Sequence, residues 1–313
     1  MKIYKIRSFF QDKRLPFHLP FNLLKSIYFK QKIKCKEIEK LYLTITFDVE
    51  PHIDDGSTIY LDTFFDKISG IDEKKTFFFT GNLISSYFKK LEKLEKQNEI
   101  GLHGYSHELW GDHFWELSKN PLTYRQKLEL LNFSVALFKK HKLKLPKSFR
   151  APYMLTNIET KKLLQKVGFK VDSSDPSHIT GNSLPYLMDN LITIPVTSHP
   201  ICSFKLKGIF PITNFNIFCM SNFKKIKKKD LINFAKIVGN FHEMNSIPPY
   251  LVFLAHSWEF TKCRKYNFCS SKNYKILSKI IRTLQDEFIC EIVTISELAC
   301  FLRKNSLLYL KNL

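Results

Sequence analysis

Along the chain, short apolar runs rich in β-branched and aromatic residues alternate with longer stretches whose apolar residues recur every three or four positions. The runs LYLTITFDV (41–49), KTFFFTG (75–81), EIGLHG (99–104), KSFRAP (147–152), GFKVDSS (168–174), LITIPV (191–196), YLVFLAH (250–256) and CEIVTI (290–295) read as strands. Residues 58–68, 83–96, 122–141, 159–167, 231–244, 273–285 and 296–303 read as helices. YLVFLAH is apolar without interruption, as befits a strand covered on both faces. This alternation predicts an α/β fold, a parallel sheet wrapped by helices. No GxGxxG or GxxxxGK[ST] opens any helix, so a barrel is expected over a nucleotide-binding sheet. Residues 1–40 depart from the pattern, with Pro16 and Pro20 interrupting a mixed basic and aromatic stretch. They read as an irregular or partly helical extension, 41–303 as the main domain and 304–313 as a tail.

Composition narrows the picture. With 44% hydrophobic residues, 29 Phe and 13 Tyr among 313, the chain can build a large core, which excludes a disordered protein. No apolar run approaches ~18 residues, so no membrane-spanning helix is expected. The opening interleaves charge with aromatics and lacks a cleavage site, which points to a cytoplasmic protein, at most peripheral at a membrane. Seven cysteines (35, 202, 219, 263, 269, 290, 300), an odd number, read as reduced thiols.

The net charge of +20 calls for anionic company. Residues 1–40 hold eleven Lys and Arg against three acids, and a second basic run covers 224–229. No RNP signature, zinc-finger spacing or clear helix-turn-helix is present, which disfavours nucleic acid. An anionic membrane surface reached through the basic arm is the partner expected, although a basic surplus also arises with no partner at all.

Chemically able side chains collect where the strands end. Asp48 and Glu50 close the first, His103 and His107 follow the third, and Arg150 ends the fourth. Asp172 and Asp175 follow the fifth, and His256 ends YLVFLAH. In α/β barrels this end of the strands is where active sites assemble, so an enzyme is expected. The two-residue strand period puts Thr44, Thr46, Asp48 and Glu50 on one face. Two inward carboxylates are costly without a cation, and two histidines four apart beside them suggest a His, His, carboxylate metal site. No GxSxG elbow is present, which disfavours a serine esterase.

Taken in order, TFDVE (46–50), HGYSH (103–107), RAPY (150–153), DSSD (172–175) and LAHSWEF (254–260) resemble the five motifs of the polysaccharide deacetylases, carbohydrate esterase family 4 with its NodB-homology domain. The resemblance spans about residues 41–300, and KTFFFTG resembles the family's second strand. It implies a distorted (β/α)7 barrel, a divalent metal, usually Zn2+ or Co2+, and hydrolysis of an N-acetyl group from a sugar of a glycan or glycan precursor. Carried over, Asp48 is the general base, His103 and His107 are metal ligands, Arg150 orients Asp48, and His256 is the general acid. Val49 separates the two first-motif acids, as in a branch with an Asp-Val-Glu pattern, where Glu50 is the third ligand. Pro176 stands where the family has a tryptophan wall, so Trp258, with Tyr153, is expected to line the substrate. Asp172 is preferred to Asp175 as the support of His256. A cyclic amide or carbamoyl hydrolase of the allantoinase-like branch and an inactive glycan-binding homologue are the alternatives.

Overall fold

The structure, a computed structural model, describes residues 3–33, 36–207 and 210–305. Cys35 and all but the first two residues of the expected tail lie outside them. Eleven strands are described: β1 (Lys40–Val49), β2 (Thr76–Phe79), β3 (Glu99–Leu102), β4 (Ser148–Phe149), β5 (Val171–Asp172), β6 (Tyr186–Met188), β7 (Leu191–Thr193), β8 (Ser203–Lys207), β9 (Phe210–Asn214), β10 (Tyr250–His256) and β11 (Ile289–Ile292). Nine form one curled sheet in the order β10-β1-β2-β3-β4-β5-β7-β6, with β11 beside the start of β1. All pairs are parallel except the β6–β7 hairpin at one edge. Beyond β7 the chain reaches the opposite edge, where the Thr197 N–H donates to the Val252 carbonyl at 3.2 Å. The expected distorted α/β barrel is the fold that forms.

Alternation along β1 divides the interior into two cores. Leu41, Leu43, Ile45, Phe47 and Val49 face outward into the helix-covered core with Phe64, Phe65, Phe77 and Phe79. Tyr42 faces inward with Phe78, Ile192, Tyr250 and Val252. Thr44, Thr46 and Asp48 share that inner face and climb toward the C-terminal strand ends. Gly101 of β3 is tight for a reason. A Cβ there would stand 2.5 Å from Ser148 Oγ and 2.7 Å from the Phe78 ring.

The helices largely follow the expected ones: α3 (Tyr60–Ile68), α4 (Ile84–Leu94), α5 (Tyr124–Lys140), α6 (Ile158–Val167), α9 (Lys228–Met244), α10 (Asn273–Glu287) and α11 (Ile295–Asn305), with single turns α7 (Ser177–Thr180) and α8 (Met220–Phe223). The N-terminal extension is more ordered than its prolines suggest. It forms α1 (Ile3–Gln11) and α2 (Leu19–Lys32), because Pro16 and Pro20 fall in first turns, where a missing N–H costs nothing. The β8–β9 hairpin, unforeseen from the sequence, packs beside α2, with Asn22 Nδ2 donating to Thr213 Oγ1 at 3.2 Å.

Candidate active site

The parallel register sets Asp48 beside His256 on β10 and beside Phe78 on β2. Asp48 and Glu50 are both buried, and so is Arg150, fully. Arg150 Nη1 donates to Asp48 Oδ1 at 2.9 Å and to Thr46 Oγ1 at 2.8 Å, while Nη2 reaches Ser173 Oγ at 2.9 Å. Its guanidinium lies 4.4 Å from the centre of the Phe78 ring. One Asp48 oxygen is thereby fixed, and Oδ2 turns toward His103 Nε2, 3.9 Å away.

His103 is buried, and its Nδ1 lies 2.8 Å from the Arg150 carbonyl. A carbonyl only accepts, so Nδ1 carries the proton and Nε2 presents a lone pair to the cavity. Burial lowers the His103 pKa against the pull of Asp48 and Glu50, which favours this neutral form. His107 arrives from the HGYSHE turn with a left-handed backbone, φ 65°. Glu108 holds that turn, accepting from the backbone N–H groups of Tyr105 at 3.0 Å and Ser106 at 2.6 Å. His107 Nε2 meets Glu50 Oε2 at 2.7 Å, and Glu50 Oε2 stands 3.8 Å from His103 Nε2. Ligand atoms of Glu50, His103 and His107 lie within 4.8 Å of one another. Two imidazoles and one carboxylate at that separation fit a divalent ion such as zinc. Burial pushes the Glu50 pKa up, but the hydrogen bond and charge of His107, with His256 and His103 behind it, hold it at about 2.

His103 and His107, together with Tyr153, line a cavity of about 320 Å³ that also takes in Asp48, His256, Glu116, Leu117, His178 and Ile179. A larger cleft lies elsewhere, around Lys74, Glu99 and Glu297, and contains none of these groups. The chemistry, and not the volume, picks out the smaller one.

Residues 36–171 match the family model described as polysaccharide deacetylase. Those residues belong to the polysaccharide deacetylase family. Among 57 solved chains that match, a structure from Mycobacterium smegmatis assigned to the polysaccharide deacetylases aligns with a TM-score of 0.53 and 16% identity, covering 88% of this chain and 94% of its own. The peptidoglycan deacetylase PdaC from Bacillus subtilis aligns at TM-score 0.44 and 18% identity, covering 87% and 95%. BA3943 of Bacillus anthracis, described as a pseudoenzyme of carbohydrate esterase family 4, aligns at 0.46 and 12%, covering 82% of this chain and 65% of its own. A search of curated proteins returned no match. At such identities the likeness speaks to fold.

Two site assignments fall differently from the sequence reading. Asp172 is buried far from that duty: it pairs with Lys161 Nζ at 2.9 Å, and Asp175 shares the same ammonium at 2.8 Å. Both carboxylates are compensated by Lys161, a cation the motif reading overlooked, and neither is found beside His256. The group there is Glu259, whose Oε1 is 3.7 Å from His256 Nδ1 and whose Oε2 accepts the His256 backbone N–H at 2.9 Å. Glu259 follows three residues after His256, a spacing that a 3-10 turn brings back onto it. Burial lowers the His256 pKa, but Glu259, then Glu50 and Asp48, outweigh it and raise it to about 9. Trp258 is likewise no exposed wall. It is buried, stacks on His256 with centroids 4.7 Å apart, and donates its indole N–H to Glu50 Oε1 at 2.8 Å. Tyr153, half-buried against His107, does line the cavity as expected.

Proposed function

We propose that the chain is a metal-dependent hydrolase that removes an N-acetyl group from a sugar of a glycan or glycan precursor. The observation that carries this reading is that an anchored carboxylate, Asp48, an imidazolium, His256, and the Glu50, His103, His107 donor set stand together at the C-terminal strand ends. Glu50, His103 and His107 would hold a divalent ion, Zn2+ in first place. Bound there, it would polarise the amide carbonyl and lower the pKa of a water from 15.7 toward ~7.

The chain's own groups supply the proton traffic. Asp48 is anchored, because Arg150 Nη1, itself donating to the Thr46 hydroxyl, donates to its Oδ1, so Oδ2 is the oxygen left to take the proton of the attacking water. His256 enters the cycle charged, since its raised pKa keeps the imidazolium intact at neutral pH. It gives its proton to the departing amine, and Glu259 stabilises the charge it carries beforehand. Tyr153 offers a flat edge for a sugar ring. The basic arm is proposed to attach to anionic membrane, with the protein peripheral there on the cytoplasmic side.

The test combines metal analysis of the purified full-length chain with acetate release from a panel of N-acetylated sugars. One equivalent of metal, and acetate release that chelation abolishes and metal restores, are expected. A metal-loaded chain that releases acetate from none of them, or full activity in excess chelator, overturns the proposal.

A further inference from the structure

The α2 helix is built inside out for a protein surrounded by water. It buries Asn22 and Ser26 along with Phe29, and exposes Phe21, Leu23, Leu24, Ile27 and Tyr28. An amphipathic surface helix does the reverse. Phe10 and Phe17 before it, and Phe204 and Leu206 on the neighbouring β8–β9 hairpin, continue the exposure; Phe21 and Leu206 each show 76% of their surface. Nine of the sixteen large apolar side chains exposed among the described residues thus come from this one region. A concentration of that kind marks an interaction site.

Charge says what covers it. Residues 3–33 contain seven Lys and Arg and a single acid, Asp12, which is buried and already paired with Arg14 at 2.7 Å. Lys30, Lys32 and Lys205 are exposed beside the apolar groups. Long apolar side chains rimmed by unopposed lysines fit an anionic lipid interface.

This face is also fastened to the mouth of the pocket. Arg14 bridges Asp12 to Glu116 at 2.7 Å, the Lys5 ammonium donates to the Leu117 carbonyl, and the Lys13 N–H donates to the Ile179 carbonyl at 3.1 Å. Glu116, Leu117 and Ile179 all line the cavity that holds His103 and His107. We propose that α1, α2 and the β8–β9 hairpin seat the protein on an anionic bilayer with the pocket at its edge, and that the acetylated sugar it takes is carried on a lipid. The substrate half rests on the deacetylase reading; the docking half does not.

The test is sedimentation of the full chain with phosphatidylcholine vesicles, with and without phosphatidylglycerol, beside the variant Phe21→Ser, Leu24→Ser, Leu206→Ser. All three positions are exposed, so folding should survive, as circular dichroism checks. The parent chain should bind anionic vesicles better than neutral ones and lose binding as salt rises. The variant should bind at least about tenfold more weakly, given the apolar area withdrawn from the interface. Acetate release from a soluble chitooligosaccharide should be equal in the two proteins, while release from an N-acetylglucosaminyl lipid in anionic vesicles should fall in the variant. Equal vesicle binding overturns the docking half, as does a parent dimer that the triple substitution dissolves, since the face would then belong to a second copy. Lost vesicle binding with equal release from the lipid overturns the substrate half. No acetate from either substrate in either protein means that the deacetylase reading has failed, and the vesicle data still decide the docking half.

Discussion

Replacing Glu259 by Gln separates the charge of this residue from its shape. Gln fills the same buried volume and still accepts the backbone N–H of His256, so the turn should hold. What disappears is the negative charge 3.7 Å from Nδ1. At an effective dielectric of ~20, one charge at that range is worth about 4 kcal/mol, or roughly three pKa units as an upper bound. Burial would then act with less opposition, and His256, held at about 9 in the parent, should move toward or below 6.5. Glu50 and Asp48 remain, so the expected shift is at least about one unit. A histidine raised by its partners contributes stability fully below its unfolded value near 6.5 and loses it as pH rises through the folded value, and the charged form needed for proton donation follows the same window. The alkaline limb of kcat/KM for acetate release should therefore move down by at least about one unit. Just above the parent limb the variant should be ~10-fold slower, and in the acid range the two should agree within a few-fold. Ion charge held by Glu50, His103 and His107 is common to both proteins and cancels in the comparison. An unmoved alkaline limb, or a rate loss that is the same at every pH, would refute the role given to Glu259.

Asp48→Asn should retain metal and lose ~10²–10⁴-fold in turnover, whereas Glu50→Ala should lose metal and recover partly in excess of it; metal content against rate distinguishes the two, and reversed behaviour would exchange the roles. Lys161→Met strands two carboxylates, one fully buried, and should cost about 3–5 kcal/mol in denaturant unfolding while leaving the alkaline limb in place. If that limb moved instead, Asp172 would be the support of His256 after all. Gly101→Ala drives a methyl group into Ser148 and Phe78 beneath the Arg150 stack, and a thermal midpoint unchanged from the parent would show that β3 yields there at no cost.

How far these features could be read from the sequence depended on their range. Strands β1, β2, β3 and β10 were legible because a period of two, or an unbroken apolar run, records burial directly. So was the convergence of Asp48, Arg150, His103 and His107, since parallel strands bring their C-terminal ends to one side. The short strands β6, β8 and β9 left no such trace: β8 reads SFKLK, exposing Phe204 and Leu206, and is held by its partner and not by a core of its own. The arm, read as irregular or partly helical, is the helical alternative, because proline is a breaker only inside a helix. The support of His256 was misplaced because sequence order carries no information on which cation a buried carboxylate meets, and Lys161 on α6 already compensates Asp172.

The buried acids together explain why the proposed metal position falls on Glu50. Asp48 is matched by Arg150, Asp172 by Lys161, Glu259 by His256, and Glu50 by His107 with Trp258. Leaving any of them without its partner would strand a buried charge, at several kcal/mol. Arg150 and Lys161 are permanent cations, so their acids have no reason to take up another. His107 is different, because it can give up its proton and keep a lone pair. Where that happens a divalent ion can take the proton's place next to Glu50, adding one net positive charge beside the buried carboxylates, His103 already being neutral through its bond to the Arg150 carbonyl. Metal uptake should then release protons, and affinity should rise with pH across the acid range. Titration calorimetry of the metal-free chain in buffers of different ionisation enthalpy measures that proton count. An affinity independent of pH, with no protons released, would place the ion on other ligands.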